Sequence, residues 1–276
     1  MTTKRVPAQV QAVADTFLQA IDAKAPALIE GLYLVGSVAQ DDFRPHRSDI
    51  DFVAVMTHRP DAATLAALER VHADLQQRWR RPFFDGIYVT RDDLASDPRQ
   101  IDHCPTAHEG KLQPAGAGDL IAWHTLAWHG VRVHGPAVYE LAVWTDADAL
   151  AAWTDDNLDT YWQRRVLDPG ARLLSLYGLV GLTAWACEWC VTGVSRLHYT
   201  LATGAITSKE GAGIYALATF PARWHRVIEE ALRIRRVAGG HSLYRWPLSR
   251  RRDVLAFTAM VIADAHRLYQ ERGTIY

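Results

Sequence analysis

The chain has 276 residues, enough for one large domain or two ordinary ones with a sizeable core. Hydrophobic residues make up 49% and charged residues 22%, which excludes a disordered chain. With 30 Lys and Arg against 31 Asp and Glu, the formal net charge is −1, so the broad cationic surface that grips duplex DNA is absent. Nucleic acid is therefore not an expected partner.

The chain has 3 cysteines, too few for a disulfide framework, which points to a reducing compartment. Residues 1–19 lack the apolar run of a secretory signal. The stretch 173–187 carries no charge, yet it falls short of the roughly 20 apolar residues that span a bilayer. It reads as a buried core helix, with Glu188 directly after it. A cytoplasmic monomer with no membrane partner is expected.

In chain order, apolar residues at helical spacing predict a helix over 6–23, followed by a short buried strand at 32–35 that ends at Gly36-Ser37. A second strand covers 49–56. An amphipathic helix opened by an Asp cap covers 61–80, a third strand 83–90, and a helix 119–130. Beyond Pro136 strand signals become scarce. Helices are predicted near 147–166, 170–191, 207–219, 221–237 and 249–271, punctuated by Pro169, Pro221 and Pro247. The fold class is α+β, a mixed sheet with flanking helices over 1–148 followed by an all-α bundle over 149–276.

The informative segment is LYLVGSVAQDDFRPHRSDIDFVAV. Strand side chains alternate faces, so Asp49 and Asp51 share one side while Ile50 and Phe52 face the other. Adjacent carboxylates repel, and they persist at low cost only with a cation between them; hard oxygen donors suit Mg²⁺. Gly36 admits close approach of backbone to a phosphate, and the Ser37 N–H and hydroxyl can bind its oxygens. Asp85 lies on the next predicted strand. Three carboxylates from neighbouring strands can hold two metal ions and activate a hydroxyl.

The pattern Gly36-Ser37, Asp49-x-Asp51 and Asp85 resembles the nucleotidyltransferase superfamily, whose fold is related to DNA polymerase beta. Within it, the chain is similar to the aminoglycoside (streptomycin/spectinomycin) adenylyltransferases. FDGIYVTRDDL at 84–94 fits the family strand with the third acid, usually Glu and here Asp85. Residues 119–136, ending HGVRVHGP, fit the closing helix and strand of the catalytic domain. RLHYTLATGAITSKEGAGIYALATFP at 196–221 fits the start of the helical domain, with the nucleotide-binding lysine at Lys209. The resemblance implies Mg²⁺ (two ions) on Asp49, Asp51 and Asp85, with ATP as co-substrate. It implies nucleotide contacts from Gly36, Ser37, Ser48 and Lys209, and Asp85 as catalytic base. The family's nucleotide-contacting tyrosine has no counterpart near Arg235. Its streptomycin-recognising tryptophan and acid do not align onto identical residues, and Glu188 is the nearest acid.

Lys209 also stands out physically. Thr207-Ser208-Lys209-Glu210 reads as a capping box with Thr207 as the cap, which puts Lys209 in a first helical turn, where the macrodipole disfavours a cation and a bound anion would relieve it. Arg233, Arg235, Arg236 and Arg250 to Arg252 read as a solvated basic face. Cys187 and Cys190 form a CxxC with no second pair and read as core residues. The 12 histidines show no metal-ligand spacing. A cationic acceptor needs acids, for which Glu109, Glu188, Asp85, Asp155, Asp156 and Asp159 are candidates.

The expected function is Mg²⁺-ATP-dependent transfer of AMP to a hydroxyl of an aminoglycoside-type antibiotic, with release of pyrophosphate and the active site lying between the domains. The alternatives are transfer to a protein, RNA or cellular metabolite, and a non-catalytic nucleotide-binding protein.

Overall fold

The computed structural model describes residues 6–116, 118–236 and 240–272. The chain divides into two compact units, with the division between Thr145 and Asp146.

The first unit is built on a mixed sheet of β1 (Ile29–Leu34), β2 (Ile50–Met56), β3 (Phe84–Thr90), β4 (Cys104–His108), β5 (Lys111–Gly116) and β6 (Val131–His134). Their order is β5-β4-β3-β2-β1-β6, with β2 and β3 parallel and the other pairings antiparallel. A parallel pair needs a crossover. Here it is α3 (Ala62–Arg78), whose cap Asp61 accepts from the Thr64 N–H at 2.8 Å.

Alternation along β2 feeds two cores. Ile50, Phe52, Ala54 and Met56 pack with α1 (Ala8–Lys24) and α3, while Val53 and Val55 pack with Trp123 and Leu126 of α5 (Leu120–His129). Both faces of the strand are therefore covered, and it reads as a continuous apolar run after its acidic start. On the first face Phe52 stacks on Phe84 with centroids 4.3 Å apart, and buried His72 meets the Tyr88 hydroxyl at 2.6 Å.

The β4–β5 hairpin is absent from the sequence-based expectation. Its two turn residues, Glu109 (φ +49°) and Gly110 (φ +75°), both adopt left-handed backbone as a tight hairpin requires. Glu-Gly is a weak signal for such a turn, and β5 is mostly exposed.

The second unit is helical: α6 (Ala147–Asn157) runs through a π-helical stretch, Leu158–Leu167, into the short α7 (Asp168–Ala171); α8 (Leu176–Val180), α9 (Ala184–Thr203), α10 (Lys209–Thr219), α11 (His225–Arg236) and α12 (Pro247–Arg272) follow. Its core gathers Val191 and Val194 of α9 with Ile228, Phe257 and Val261. The expected end of one helix at 237 lies outside the described residues, as do positions 1–5 of the N-terminal segment.

Three expectations are corrected. The helix over 170–191 is broken twice, because Ser175 and Thr183 each cap a new helix, accepting from Gly178 N–H at 2.9 Å and Ala186 N–H at 3.1 Å. The apolar run 173–187 is accordingly not a buried helix: Leu174 is 91% exposed and Leu176 75%. Among the described residues no helix is long and apolar enough to cross a membrane.

The basic region is a solvated face only in part: Arg252 and Arg236 are exposed, at 78% and 44%, but three other arginines turn inward. Buried Arg235 pairs with Glu188 at 3.2 Å, and Arg233 (2.8 Å) and Arg250 (3.4 Å) converge on fully buried Glu230. Burial alone would raise the Glu230 carboxyl, but donors from Arg233, Ser242 and the Leu243 N–H outweigh it and hold it at about 2. Arg250 and Arg251 also donate to the Leu182 and Gly170 carbonyls of the broken segment. Buried charges survive when paired in this way. The expectation that Cys187 and Cys190 are core residues matches their burial, which pushes the Cys190 thiol up to about 12.

His72 yields a pH prediction. Burial lowers its pKa from 6.5 to about 4, so the folded state disfavours the imidazolium. The stability associated with neutral His72 is present above 6.5 and is lost as the pH falls from there through about 4. An NMR titration should show the His72 ring protonating near pH 4, and His72→Gln should flatten the acid limb of the melting profile. A ring titrating near 6.5 would contradict this.

Candidate active site

Parallel register places Asp51 directly beside Asp85. By alternation both lie on the face shared by Val53, Val55, Ile87 and Val89, at the end where the apolar layer stops. Asp49 precedes β2 by one residue, and its Oδ1 accepts from Arg81 Nη1 at 3.1 Å.

β1 runs through Val35 into α2 (Gly36–Ala39), and Gly36 holds a left-handed φ of +55°. A Cβ on Gly36 would sit 1.9 Å from Asp51 Oδ2, so glycine is required both by its backbone and by the carboxylate pressed against it. Next to it, Ser37 Oγ is buried without a hydrogen-bond partner. Such a group calls for a ligand or water. Ser48 is buried and its Oγ accepts from the Arg44 N–H at 3.0 Å, closing the turn that precedes the acidic pair.

The hairpin tip braces Asp85. Its Oδ1 accepts from the Glu109 N–H at 2.8 Å, and its Oδ2 lies 3.2 Å from His108 Nδ1. The Asp85 side chain is 13% exposed, against 68% for His108. Burial raises the Asp85 carboxyl above its usual range, the Glu109 hydrogen bond and His108 pull it back, and the Asp49 charge raises it further. His108 and the Glu109 backbone were missed from sequence because the hairpin was missed; a two-residue turn between short strands, HEGK, was the available signal.

The donor chemistry fits Mg²⁺: three carboxylates at one end of a sheet, an orphaned hydroxyl and a glycine cradle. Among the described residues, however, no three His, Cys, Asp or Glu side chains are grouped as a ready metal cluster. Asp49 is turned to Arg81 instead.

The other sequence candidates lie in the second unit. Lys209 lies in the first turn of α10, as expected, but as its first residue, because the cap is Ser208, whose Oγ accepts from the Gly211 N–H at 3.0 Å. The cap therefore lies one residue later than the expected Thr207, and Glu210 pairs with Arg236 at 2.8 Å. Buried His198 fastens α10 to α9 and α12, contacting the Tyr215 hydroxyl at 2.8 Å and Asp264 at 2.9 Å. Glu188 is buried against Arg235, and Asp155 meets His266 Nδ1 at 2.6 Å. Asp159 lies 3.1 Å from the other ring nitrogen of His266, and Asp156 is exposed.

A nucleotidyltransferase domain model matches residues 14–105, which contain Gly36, Asp49, Asp51 and Asp85. A model for the aminoglycoside adenylyltransferase C-terminal domain matches residues 185–269. The chain carries a nucleotidyltransferase domain followed by an aminoglycoside adenylyltransferase C-terminal domain. It is thus a nucleotidyltransferase. No curated protein matches it in sequence. Its fold is similar to that of a spectinomycin adenyltransferase from Enterococcus faecialis, a structure with ATP and spectinomycin, at 12% identity and a TM-score of 0.63. The match covers 90% of this chain and 98% of that one.

Gly36→Ala tests this corner of the site. The Cβ must displace the Asp51 carboxylate and strain the backbone by about 1 kcal/mol or more. Calorimetry should show ATP–Mg²⁺ affinity reduced at least about tenfold, which corresponds to ~1.4 kcal/mol, with only a small drop in melting temperature. Unaltered affinity would remove Asp51 from the nucleotide site.

Proposed function

We propose that the protein is a Mg²⁺-dependent adenylyltransferase that moves AMP from ATP to a hydroxyl of an aminoglycoside-type antibiotic. The observation that carries this reading is the register pair Asp51–Asp85 set against Gly36 and the orphaned Ser37 hydroxyl. Asp49, Asp51 and Asp85 would hold Mg²⁺, which supplies charge neutralisation of the triphosphate.

The chain's own groups do the rest. The Gly36 backbone and Ser37 hydroxyl receive phosphate oxygens, and Lys209 adds a cation at the start of α10. Ser48 keeps the preceding loop in place. Asp85 takes the proton of the acceptor hydroxyl. That oxygen then bonds to the α-phosphorus while the bond from phosphorus to the oxygen bridging to the β-phosphate breaks, and pyrophosphate leaves. Asp85 suits this task because the Glu109 N–H fixes one carboxylate oxygen and orients the other. Exposed Glu109 supplies an acid for a cationic acceptor, whereas Asp155 and Asp159 are both engaged by His266. Glu188, neutralised by Arg235, is less available for that role than the sequence suggested.

Purified protein with Mg²⁺, each nucleoside triphosphate and a panel of aminoglycosides should release pyrophosphate only with ATP and a responsive antibiotic. Asp51→Asn should abolish turnover with the melting temperature within a few degrees of wild type. Asp85→Asn should keep ATP binding and lower turnover about 10²-fold or more, the scale of a lost general base. Pyrophosphate release that ignores every aminoglycoside would remove the antibiotic from this reading.

Lys209→Ala should weaken ATP binding and leave stability nearly unchanged, since a cation in a first helical turn contributes little to the fold. Equal ATP affinity in wild type and variant, measured by calorimetry, would reduce Lys209 to a surface residue.

A further inference from the structure

The surroundings of Asp49 contain a cation that the proposed reaction leaves without a role. Arg81 donates to Asp49 Oδ1 at 3.1 Å, with the two side chains 59% and 37% exposed. The same guanidinium lies over the Phe83 ring, 4.0 Å from its centroid, so the fork is held from two sides on the segment leading into β3. A guanidinium on a carboxylate that a divalent cation must use is a competitor for that cation. Exposed pairs of this kind are weak and break readily. The absence of a ready three-ligand cluster among the described residues fits an Asp49 that is engaged elsewhere.

We propose that Arg81 is an exchangeable counter-ion of the site. It holds Asp49 while no divalent cation is bound, and it releases the carboxylate when metal and triphosphate arrive together. Its planar fork then pairs with an anionic oxygen of the nucleotide, a partner as well matched as the carboxylate it left. Metal alone must displace a bonded cation and remain beside it. Metal accompanied by a polyphosphate gives that cation somewhere to go. Arg81 therefore couples the two ligands, each binding better in the presence of the other. The inference rests on the metal-nucleotide site proposed above and is independent of which acceptor is used.

The test uses the full chain and Mn²⁺ as a paramagnetic probe, with free Mn²⁺ read by electron paramagnetic resonance. Arg81→Gln should bind Mn²⁺ alone about three- to fivefold more tightly than wild type, the scale set by a partly exposed ion pair. At saturating Mn²⁺ the same variant should bind a non-hydrolysable ATP analogue several-fold more weakly, so the coupling shrinks from both ends. Arg81→Lys should retain part of each effect, and matching melting temperatures would show that all forms are folded. An unchanged or weaker Mn²⁺ affinity in Arg81→Gln overturns the proposal, and so does an unchanged analogue affinity. Asp51→Asn separates the two levels. Mn²⁺ binding that survives Asp51→Asn, or fails in wild type even with the analogue, overturns the metal site itself and the counter-ion with it.

Discussion

The parallel pairing of β2 with β3 is the constraint on which the site depends, because it sets Asp51 beside Asp85. Two like charges on neighbouring strands, about 5 Å apart, repel by roughly 3 kcal/mol at an effective dielectric of 20. The fold offsets this locally. Glu109 N–H and His108 answer Asp85, and Arg81 answers Asp49. Each of these groups comes from a segment that joins or pairs with β3. The acids and the groups that make them tolerable therefore depend on the same register, and a slip of β2 by one residue would turn Asp51 into an apolar core and part it from Asp85.

Such a site needs a stiff support, and the sheet supplies it by burial on both faces. β2 carries its polarity at one end and is apolar for the rest of its length, so the transition from core to site occurs within a single strand. Phe52 illustrates the link. Its ring stacks with Phe84 on one face, while Asp51 and Val53 beside it point to the other. The second unit reaches rigidity differently, with charges inside: Glu230 and Glu188 are matched by Arg233, Arg250 and Arg235. Those arginines hold buried carboxylates and, through Arg250, the Leu182 carbonyl in place.

What the sequence could disclose follows from how local each signal is. Asp49-x-Asp51 after Gly36-Ser37 is a local pattern, as is the cap Asp61, and each appears in the structure where the pattern put it. The hairpin that positions His108 and Glu109 was illegible because its second strand is exposed and interrupted by Pro114, so it shows no clean alternation. Ser175 and Thr183 were read as part of an uncharged helix, although hydroxyls of this kind start helices as readily as they sit within them. Thr207 and Ser208 are adjacent hydroxyls, and either could be read as the cap; the structure uses Ser208. The arginines were misassigned for the opposite reason: Arg235 and its partner Glu188 are 47 residues apart, a distance over which sequence alone pairs nothing.

The three carboxylates also differ in how firmly they are held, and the difference is informative about order of events. Asp85 is bonded to backbone at a hairpin tip whose own geometry is fixed by two left-handed residues, so it has little freedom to move. Asp51 is confined by the absence of a Cβ at Gly36, a space sized for that carboxylate. Asp49 is exposed and tied to a long, exposed side chain, an attachment that costs little to exchange. For the proposed reaction, the site is thus rigid at the groups assigned to proton transfer and phosphate approach, and adjustable at Asp49. Rigid groups contribute catalysis without reorganisation, whereas an adjustable carboxylate allows charged ligands in and out without disturbing the sheet beneath.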